Sequence, residues 1–215
     1  RLHKVVTTEF AARDIHGRTG AVVSKVLPDE VVYDDGSTEE YDLLISFPPY
    51  VSAVSYPGLP SDDRGFLQTD LATRQVQNHP GVYAPGDAGD FPVKQAFLAF
   101  LQADAAADHL ASRIGRRPFV HPFDPVSMCV MEMFDKATFA QVPLRLTGDA
   151  TDPVAVRPWA NGAYRVGVSP LWRLGKKALG LYLPLRFRRG QPFHAGTAWQ
   201  AMDFGLRGMA RVLAD

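Results

Sequence analysis

The chain has 215 residues, 46% of them hydrophobic and 21% charged, which is enough to bury the core of one or two domains. Its 23 basic and 23 acidic side chains balance, so general affinity for nucleic acid is not expected. One cysteine and six scattered histidines exclude a disulfide framework and an all-cysteine metal site, and no metal is expected. No apolar run approaches the roughly 18 residues of a membrane span.

The N-terminal part is predicted to be rich in β-structure. Val5–Phe10 and Ala21–Leu27 are predicted strands, and Glu30–Tyr33 leads into the tight turn Asp34-Asp35-Gly36-Ser37 of a hairpin. The nearly continuous apolar run Tyr41–Phe47 predicts a strand that is buried on both faces of a sheet.

The next part contains a loop followed by a long, alanine-rich helix. A short strand is predicted around Phe66–Thr69, and the helix is predicted to begin near Val93. Between them, Gly86 would let the backbone approach a ligand closely, and Asp87 could accept hydrogen bonds from a sugar-type hydroxyl. The positive end of the helix would face this loop, which suits an anionic or electron-rich cofactor. A strand-turn-helix junction that binds nothing is the alternative.

The residues Asn78–Ala88, NHPGVYAPGDA, resemble the second flavin fingerprint of FAD-dependent pyridine nucleotide-disulfide oxidoreductases. The resemblance implies FAD as the cofactor and a helix end that stabilises the anionic reduced flavin. The residues that it places at the cofactor are Gly86, Asp87 and Ala88 along the ribityl and pyrophosphate part, and Val93, Lys94 and Gln95 beside the flavin ring.

No G-x-G-x-x-G loop, which would hold the ADP half of FAD, occurs in the sequence. The resemblance therefore implies an α/β fold, as the C-terminal fragment of a two-dinucleotide-binding-domain flavoprotein (FAD/NAD(P)-binding fold) with a mixed α+β C-terminal region. Three parts are expected. They are residues 1–60, the remainder of the pyridine-nucleotide-type domain; 61–115, the connector and return segment of the FAD-binding domain; and 116–215, a hairpin and amphipathic helices.

The segment Ser46-Phe47-Pro48-Pro49 stands where such flavoproteins usually carry Ala-Thr-Gly. Two prolines remove backbone donors and stiffen the crossover. This departure disfavours NAD(P)H binding and is closer to the sulfide:quinone oxidoreductase branch.

Ser127–Phe134 and Ala137–Val142 predict a β-hairpin that carries the single cysteine. Alternation places Cys129 on one face with two methionines, where a small buried hydrophobic residue is the simplest interpretation. The hairpin is also similar to the segment of sulfide:quinone oxidoreductases that carries a redox cysteine. That resemblance implies that Cys129 traps sulfide sulfur together with a cysteine outside this chain. Phe134 and Phe139 are candidates for stacking on a quinone, or are part of the core.

The C-terminal region is basic and aromatic, with predicted helices at Ser169–Leu183 and Ala198–Leu213. No Asp or Glu occurs from Val154 to Met202. Basic residues with Trp and Tyr suit a helix on an anionic lipid surface, and the alternative is a helix packed on the core with a solvated basic rim. The basic and tryptophan residues in this stretch are Arg157, Arg165, Arg173, Lys176, Lys177, Arg186, Arg188, Arg189, Trp159, Trp172 and Trp199.

Together, the residues and the resemblance predict part of a peripheral membrane protein on the cytoplasmic face of a bacterial inner membrane. Its expected activity is that of an FAD-dependent oxidoreductase, with electrons passing from sulfide through a cysteine relay and FAD to quinone. The fragment alone is expected to be inactive. Two alternatives stay open: a type II NADH:quinone dehydrogenase-like flavoprotein, and a non-catalytic module that contacts a membrane or forms a homo-oligomer.

Overall fold

The computed structural model describes residues 1–47, 49–157, 163–186, 188 and 197–214, without the side chains of 186, 197–200, 202 and 203. The chain divides into two compact units, Arg1–Tyr50 and Val51–Asp215. The three-part organisation expected from the sequence stays a prediction.

The first unit consists of one helix and a small antiparallel sheet. The elements are α1 (Leu2–Ala11), β1 (Val23–Val26), β2 (Glu30–Tyr33) and β3 (Thr38–Glu40), with strand order β1-β2-β3. The predicted turn before β3 is confirmed: Gly36 has a φ of 80°, which glycine adopts without steric cost. The Asp35 carboxylate accepts a hydrogen bond of 2.9 Å from the Ser37 backbone N–H, which closes the turn.

Two sequence predictions for this unit are wrong. Val5–Phe10 lies in helix α1, where the Thr7 and Thr8 hydroxyls donate to the carbonyls of His3 and Lys4 at 3.0 and 2.9 Å. These bonds satisfy the threonine hydroxyls within the helix. Tyr41–Phe47 forms no strand in the described part of the chain, and Leu43 is 78% exposed. An apolar run becomes a buried strand only when neighbouring strands pair with it.

The second unit begins with a turn-rich segment that packs around a small core of Leu67, Val76 and Ala84. The strand predicted around Phe66–Thr69 is reduced to isolated bridges at Leu67 and Thr69. An ion pair, rather than a strand, holds the two parts of this segment together. The guanidinium group of Arg74, only 1% exposed, lies 3.1 Å from the Asp90 carboxylate.

Glycine at position 89 is dictated by the close packing of this segment. A Cβ atom there would lie 2.4 Å from the carbonyl oxygen of Ala84 and 3.0 Å from the Arg74 guanidinium. No side chain fits such a space without moving the backbone, so Gly89 fixes the path of the chain after residue 88.

Helix α2 (Ala96–Gly115) follows this segment. Gln95 is its N-cap in an extended conformation, so the helix begins three residues after the predicted start at Val93. The helix ends at Arg116, whose φ of 49° places it in the left-handed region. Leu98 and Ala105 of α2 form a core with Phe91, Phe123 and Leu144.

The rest of the unit is an antiparallel sheet with two helices on one face. The elements are β4 (Val126–Glu132), β5 (Ala137–Leu146), β6 (Val154–Val156), β7 (Arg165–Ser169), α3 (Pro170–Arg186) and α4 (Thr197–Leu213). Strand β5 is central and pairs with β4, β6 and β7, and Cys129 of β4 lies opposite Ala140 of β5. The predicted hairpin and both predicted C-terminal helices are confirmed.

Candidate functional site

The Gly-Asp-Ala loop lies directly on helix α2. Residues Gly86–Ala88 form a single 3₁₀ turn, and Gly86 has a φ of 70°. A Cβ atom on Gly86 would lie 3.2 Å from the Cβ of Ala99, so glycine serves both the backbone conformation and the close packing. The Gly86 N–H donates a hydrogen bond of 3.0 Å to Oε1 of Gln102, a side chain that is 1% exposed. The backbone of the loop is therefore bonded to helix α2, while the Asp87 side chain is exposed.

The Lys94 side chain also binds the backbone of this loop. Its ammonium group donates to the carbonyl oxygens of Gly89 and, at 3.4 Å, Asp87, and it lies 3.7 Å from the centre of the Phe66 ring. Burial lowers the pKa of Lys94 because the ammonium group loses solvation, and the nearby Asp87 charge opposes this effect. Lys94 thus holds the loop carbonyls rather than pointing freely past the helix end.

Gln95 joins the N-terminus of α2 to strand β4. Its Nε2 donates to the Met128 carbonyl at 3.0 Å, and its Oε1 accepts from the Ser127 hydroxyl at 3.1 Å. No side chain caps the helix, and its first turn contains no acidic residue. The first N–H groups of α2 and the positive end of its dipole are therefore available to an anionic or electron-rich group.

Cys129 is exposed, so the interpretation as a small buried hydrophobic residue is wrong. Strand β4 lies at the edge of its sheet and leaves this thiol uncovered. Because side chains alternate along a strand, Cys129 shares a face with Ser127, the residue bonded to Gln95. The thiol therefore lies on the side of β4 that meets the N-terminus of α2.

The two phenylalanines proposed for stacking on a quinone have different environments. Phe134, next to the hairpin turn, is 84% exposed. Phe139 is 0% exposed, and its ring is stacked on Trp172 with centroids 4.2 Å apart. Phe139 therefore belongs to the core in this structure, and its ring face is not available to a ligand.

The C-terminal basic residues are mostly bound to the protein itself. Arg173 pairs with Glu132 at 3.2 Å, and Lys176 donates to the Val130 carbonyl at 3.1 Å. Trp172 is 1% exposed and lies in the core, so it is not an interfacial anchor. Of the other basic and tryptophan residues named above, Trp159 and Arg189 lie outside the described residues, as do the side chains of Arg186 and Trp199.

Helices α3 and α4 nevertheless present apolar side chains to solvent. The residues concerned are distributed along both helices, with exposed fractions of 51% for Leu171, 64% for Leu174, 78% for Leu181, 67% for Leu185, 79% for Phe204 and 81% for Val212. Within the described ranges, none of the helices has the length and apolar character needed to cross a bilayer. Nor do the described residues include a group of three or more His, Cys, Asp or Glu side chains that could hold a metal ion.

Sequence reasoning missed the side chains that hold the site together. Gln102 and Ser127 act through contacts 16 and 32 residues away in the chain, which no local pattern reveals. The Arg74–Asp90 pair was also missed, although a charged residue directly after the Gly-Asp-Ala-Gly run was a weak signal. A glutamine within an alanine-rich helix gave a similar hint for Gln102.

The site fits the polar part of a dinucleotide. A glycine allows close backbone approach at Gly86, the exposed Asp87 carboxylate can accept hydrogen bonds from hydroxyl groups, and the uncapped end of α2 offers N–H donors. The side-chain amide of Gln95 is already used on both its atoms, so only its backbone remains for a cofactor.

No protein-family model matches the sequence. Among solved structures, the sulfide:quinone oxidoreductase of the hyperthermophilic bacterium Aquifex aeolicus is similar over 95% of this chain, with a TM-score of 0.70 and 16% identity. This chain spans 49% of that protein, about half its length. The predicted fold class is confirmed, and the resemblance seen in the sequence is confirmed at the level of the fold.

Two other solved structures are similar over shorter parts. One chain in the structure of a mitochondrial ATP synthase from Tetrahymena thermophila is similar over 65% of this chain and 36% of its own length. The TM-score is 0.48 and the identity is 17%. An FAD-dependent pyridine nucleotide-disulphide oxidoreductase from Desulfovibrio vulgaris matches 66% of this chain and 38% of its own, with a TM-score of 0.41 and 20% identity. At these scores neither likeness carries an argument.

The position of Lys94 predicts a pH-dependent stability. Because burial lowers its folded-state pKa, the unfolded chain binds more protons between that pKa and the ordinary lysine value of about 10.4. The free energy of unfolding, measured against that of Lys94→Met, should therefore rise with pH through this window. Urea unfolding at a series of alkaline pH values measures the difference, with circular dichroism confirming the fold at each pH. A difference that is flat or falls with pH contradicts the assignment.

Proposed function

We propose that this chain is the C-terminal half of a membrane-associated, FAD-dependent oxidoreductase that transfers electrons from sulfide to quinone. One observation carries the proposal: an exposed thiol, Cys129, shares a face of β4 with Ser127, whose hydroxyl bonds Gln95 at the uncapped end of α2. A redox-active sulfur and a cofactor-binding helix end must be adjacent if electrons are to pass between them. The overall likeness to a sulfide:quinone oxidoreductase supports this interpretation.

In this proposal, the loop and the helix end hold FAD, which supplies a two-electron acceptor between sulfur and quinone when it is bound. Asp87 would accept hydrogen bonds from the hydroxyl groups of the ribityl part, and Gly86 and Ala88 would contribute backbone to the binding of the pyrophosphate. The backbone at Val93 and Gln95 would contact the flavin ring. Lys94 acts indirectly, because its ammonium group holds the carbonyls of the loop in place.

Cys129 provides the sulfur chemistry. It forms a disulfide with a cysteine outside this chain, a two-electron oxidation for which FAD, when bound, would be the electron acceptor. Hydrosulfide then attacks one sulfur of that bond. The S–S bond breaks, the attacked cysteine becomes a persulfide, and the other cysteine leaves as a thiolate. Exposure of Cys129 is the feature that supports this role, since both sulfide and a partner cysteine must reach it.

The proposed quinone site and the proposed membrane attachment are connected, because the quinone is dissolved in the membrane. Phe134, exposed next to the hairpin turn, is the remaining candidate for stacking on a quinone ring. Exposed leucines on α3, with Lys177 and Arg188 also exposed, suit attachment to an anionic lipid surface. A quinone dissolved in lipid would then reach the enzyme without crossing water.

Asp87→Asn in the longer protein should weaken FAD binding roughly tenfold or more, because a charged acceptor is replaced by a neutral one. Flavin retained after dialysis, together with titration of the apoprotein, measures the effect. Asp63→Asn is the matched control, because Asp63 is an exposed carboxylate on the same unit. Equal flavin retention in the two variants would contradict the role given to Asp87.

Cys129→Ser in the longer protein should lower sulfide-dependent quinone reduction by about a hundredfold or more while the flavin stays bound, since the hydroxyl cannot form the disulfide. Met131→Leu, on the same face of β4, is the control and should stay active. Unchanged sulfide oxidation in Cys129→Ser removes the sulfide proposal. Quinone reduction driven by NADH in that variant would favour the type II NADH:quinone dehydrogenase alternative.

The double variant Leu181→Ser, Leu185→Ser should reduce co-sedimentation with anionic vesicles by about tenfold or more, because each buried leucine contributes about 1.5–3 kcal/mol. The matched control is Ile114→Ser, Val120→Ser, since those side chains are 76% and 58% exposed on another surface of the same unit. Added salt should also weaken binding. If the natural chain does not bind vesicles, or if both double variants bind equally, the membrane proposal fails.

A further inference from the structure

Three sulfur side chains follow one another on one face of strand β4. Cys129 and Met131 alternate along the strand, and Met133 follows at the same interval, directly after the last residue of the strand, Glu132. The chain has one cysteine and five methionines, so half of its sulfur atoms lie within this short segment. The sulfide chemistry proposed above uses the thiol and gives no role to the two methionines.

The contacts of Thr138 place both methionines on this face. Thr138 of β5 lies directly opposite Met131 in the antiparallel pairing, and opposite residues project to the same face of a sheet. The Thr138 hydroxyl donates to Sδ of Met133 at 4.0 Å. Backbone pairing extends to this position, because the Met133 N–H donates to the Lys136 carbonyl at 2.9 Å. The three sulfur side chains therefore belong to one side of the hairpin.

Packing explains the methionine on the opposite face of β4 but not these three residues. Met128 packs against the core that contains Phe139 and Trp172. By contrast, Cys129 is exposed, and Met131 and Met133 are half-buried and belong to none of the apolar cores that the described residues form. An ion from solvent can therefore reach this face.

The donor set of this face is entirely soft. Thiolate and thioether sulfurs favour Cu(I), whereas zinc is usually held by four ligands that include His, Cys or carboxylate groups. Alternate residues of a strand lie roughly 6.5–7 Å apart, and the three rotatable side-chain bonds of methionine let its sulfur move toward that of Cys129. The thiolate balances the charge of Cu(I), and the thioethers add ligands without adding charge.

We propose that Cys129, Met131 and Met133 bind one Cu(I) ion on this face of β4. The thiol releases its proton when the ion binds, because the thiolate is the ligand. The site needs neither FAD nor sulfide. It shares Cys129 with the function proposed above, and a disulfide at Cys129 excludes the ion, whereas the two methionines belong to the copper site alone.

Competition for Cu(I) tests the proposal. The full chain, reduced and kept under anaerobic conditions, is titrated against the coloured Cu(I) complex of bathocuproine disulfonate, and the loss of colour measures the transfer of the ion. We expect one ion per chain, a coordination shell of sulfur in X-ray absorption, and much weaker binding of Zn²⁺. No uptake of Cu(I), a shell of nitrogen or oxygen, equal affinity for Zn²⁺, or one ion shared by two chains would overturn the proposal.

Three variants locate the ion. Met131→Leu, Met133→Leu should weaken Cu(I) binding about tenfold or more, because only the thiolate remains. Met128→Leu, Met209→Leu is the matched control, since it removes two thioethers that pack against the core. Cys129→Ser should remove measurable binding, and thermal unfolding checks that each variant folds. Equal affinity in the two double variants, or Cu(I) binding in Cys129→Ser as strong as in the natural chain, would overturn the proposal.

The copper site and the function proposed above fail separately. If the longer protein does not oxidise sulfide while the chain takes up Cu(I) through the methionines, the sulfide proposal is removed and the copper site is supported. If the longer protein oxidises sulfide and the chain takes up no Cu(I), the copper site alone is removed.

Discussion

The candidate site depends on one bridge, in which the Gln95 amide bonds both the Ser127 hydroxyl and the Met128 carbonyl. These two bonds join the end of α2 to the strand that carries Cys129, although 32 residues separate Gln95 from Ser127 in the chain. Both atoms of the amide are used, so its orientation is determined. Two hydrogen bonds from one side chain restrict the position of β4 relative to the end of α2 more than packing alone would.

The loop that faces this helix end is held by a set of contacts that leave it little freedom. Gln102 binds the Gly86 N–H from within the core, and Lys94 binds the carbonyls of Asp87 and Gly89. Behind the loop, Arg74 is buried with its Nε unpaired among the described residues, so its charge is compensated mainly by Asp90. A buried cation of this kind fixes one arrangement of the surrounding chain at a cost in desolvation.

The sequence revealed features whose causes are local. The Asp-Gly turn before β3 and the hairpin of β4 and β5 follow from residues near to one another, as does the Gly-Asp-Ala loop. The errors have a non-local origin: the run 41–47 would need neighbouring strands, and Cys129 is exposed because β4 lies at the edge of its sheet. Residues 5–10 were also predicted wrongly: their β-branched composition favours a strand, but they lie in a helix in which the threonine hydroxyls bond to the preceding turn. For the same reason no pattern pointed to Ser127, and the only signal for Gln102 was a glutamine within an alanine-rich helix.

The chain's single cysteine is also an exposed one, on the face of β4 that meets the end of α2. Within these 215 residues, a maleimide dye or nitroxide therefore has one thiol to which it can attach. A reporter at that place lies on the face of β4 whose Ser127 bonds Gln95 at the end of α2, and it senses changes at that helix end. The chain thus already contains a spectroscopic handle at the junction of α2 and β4.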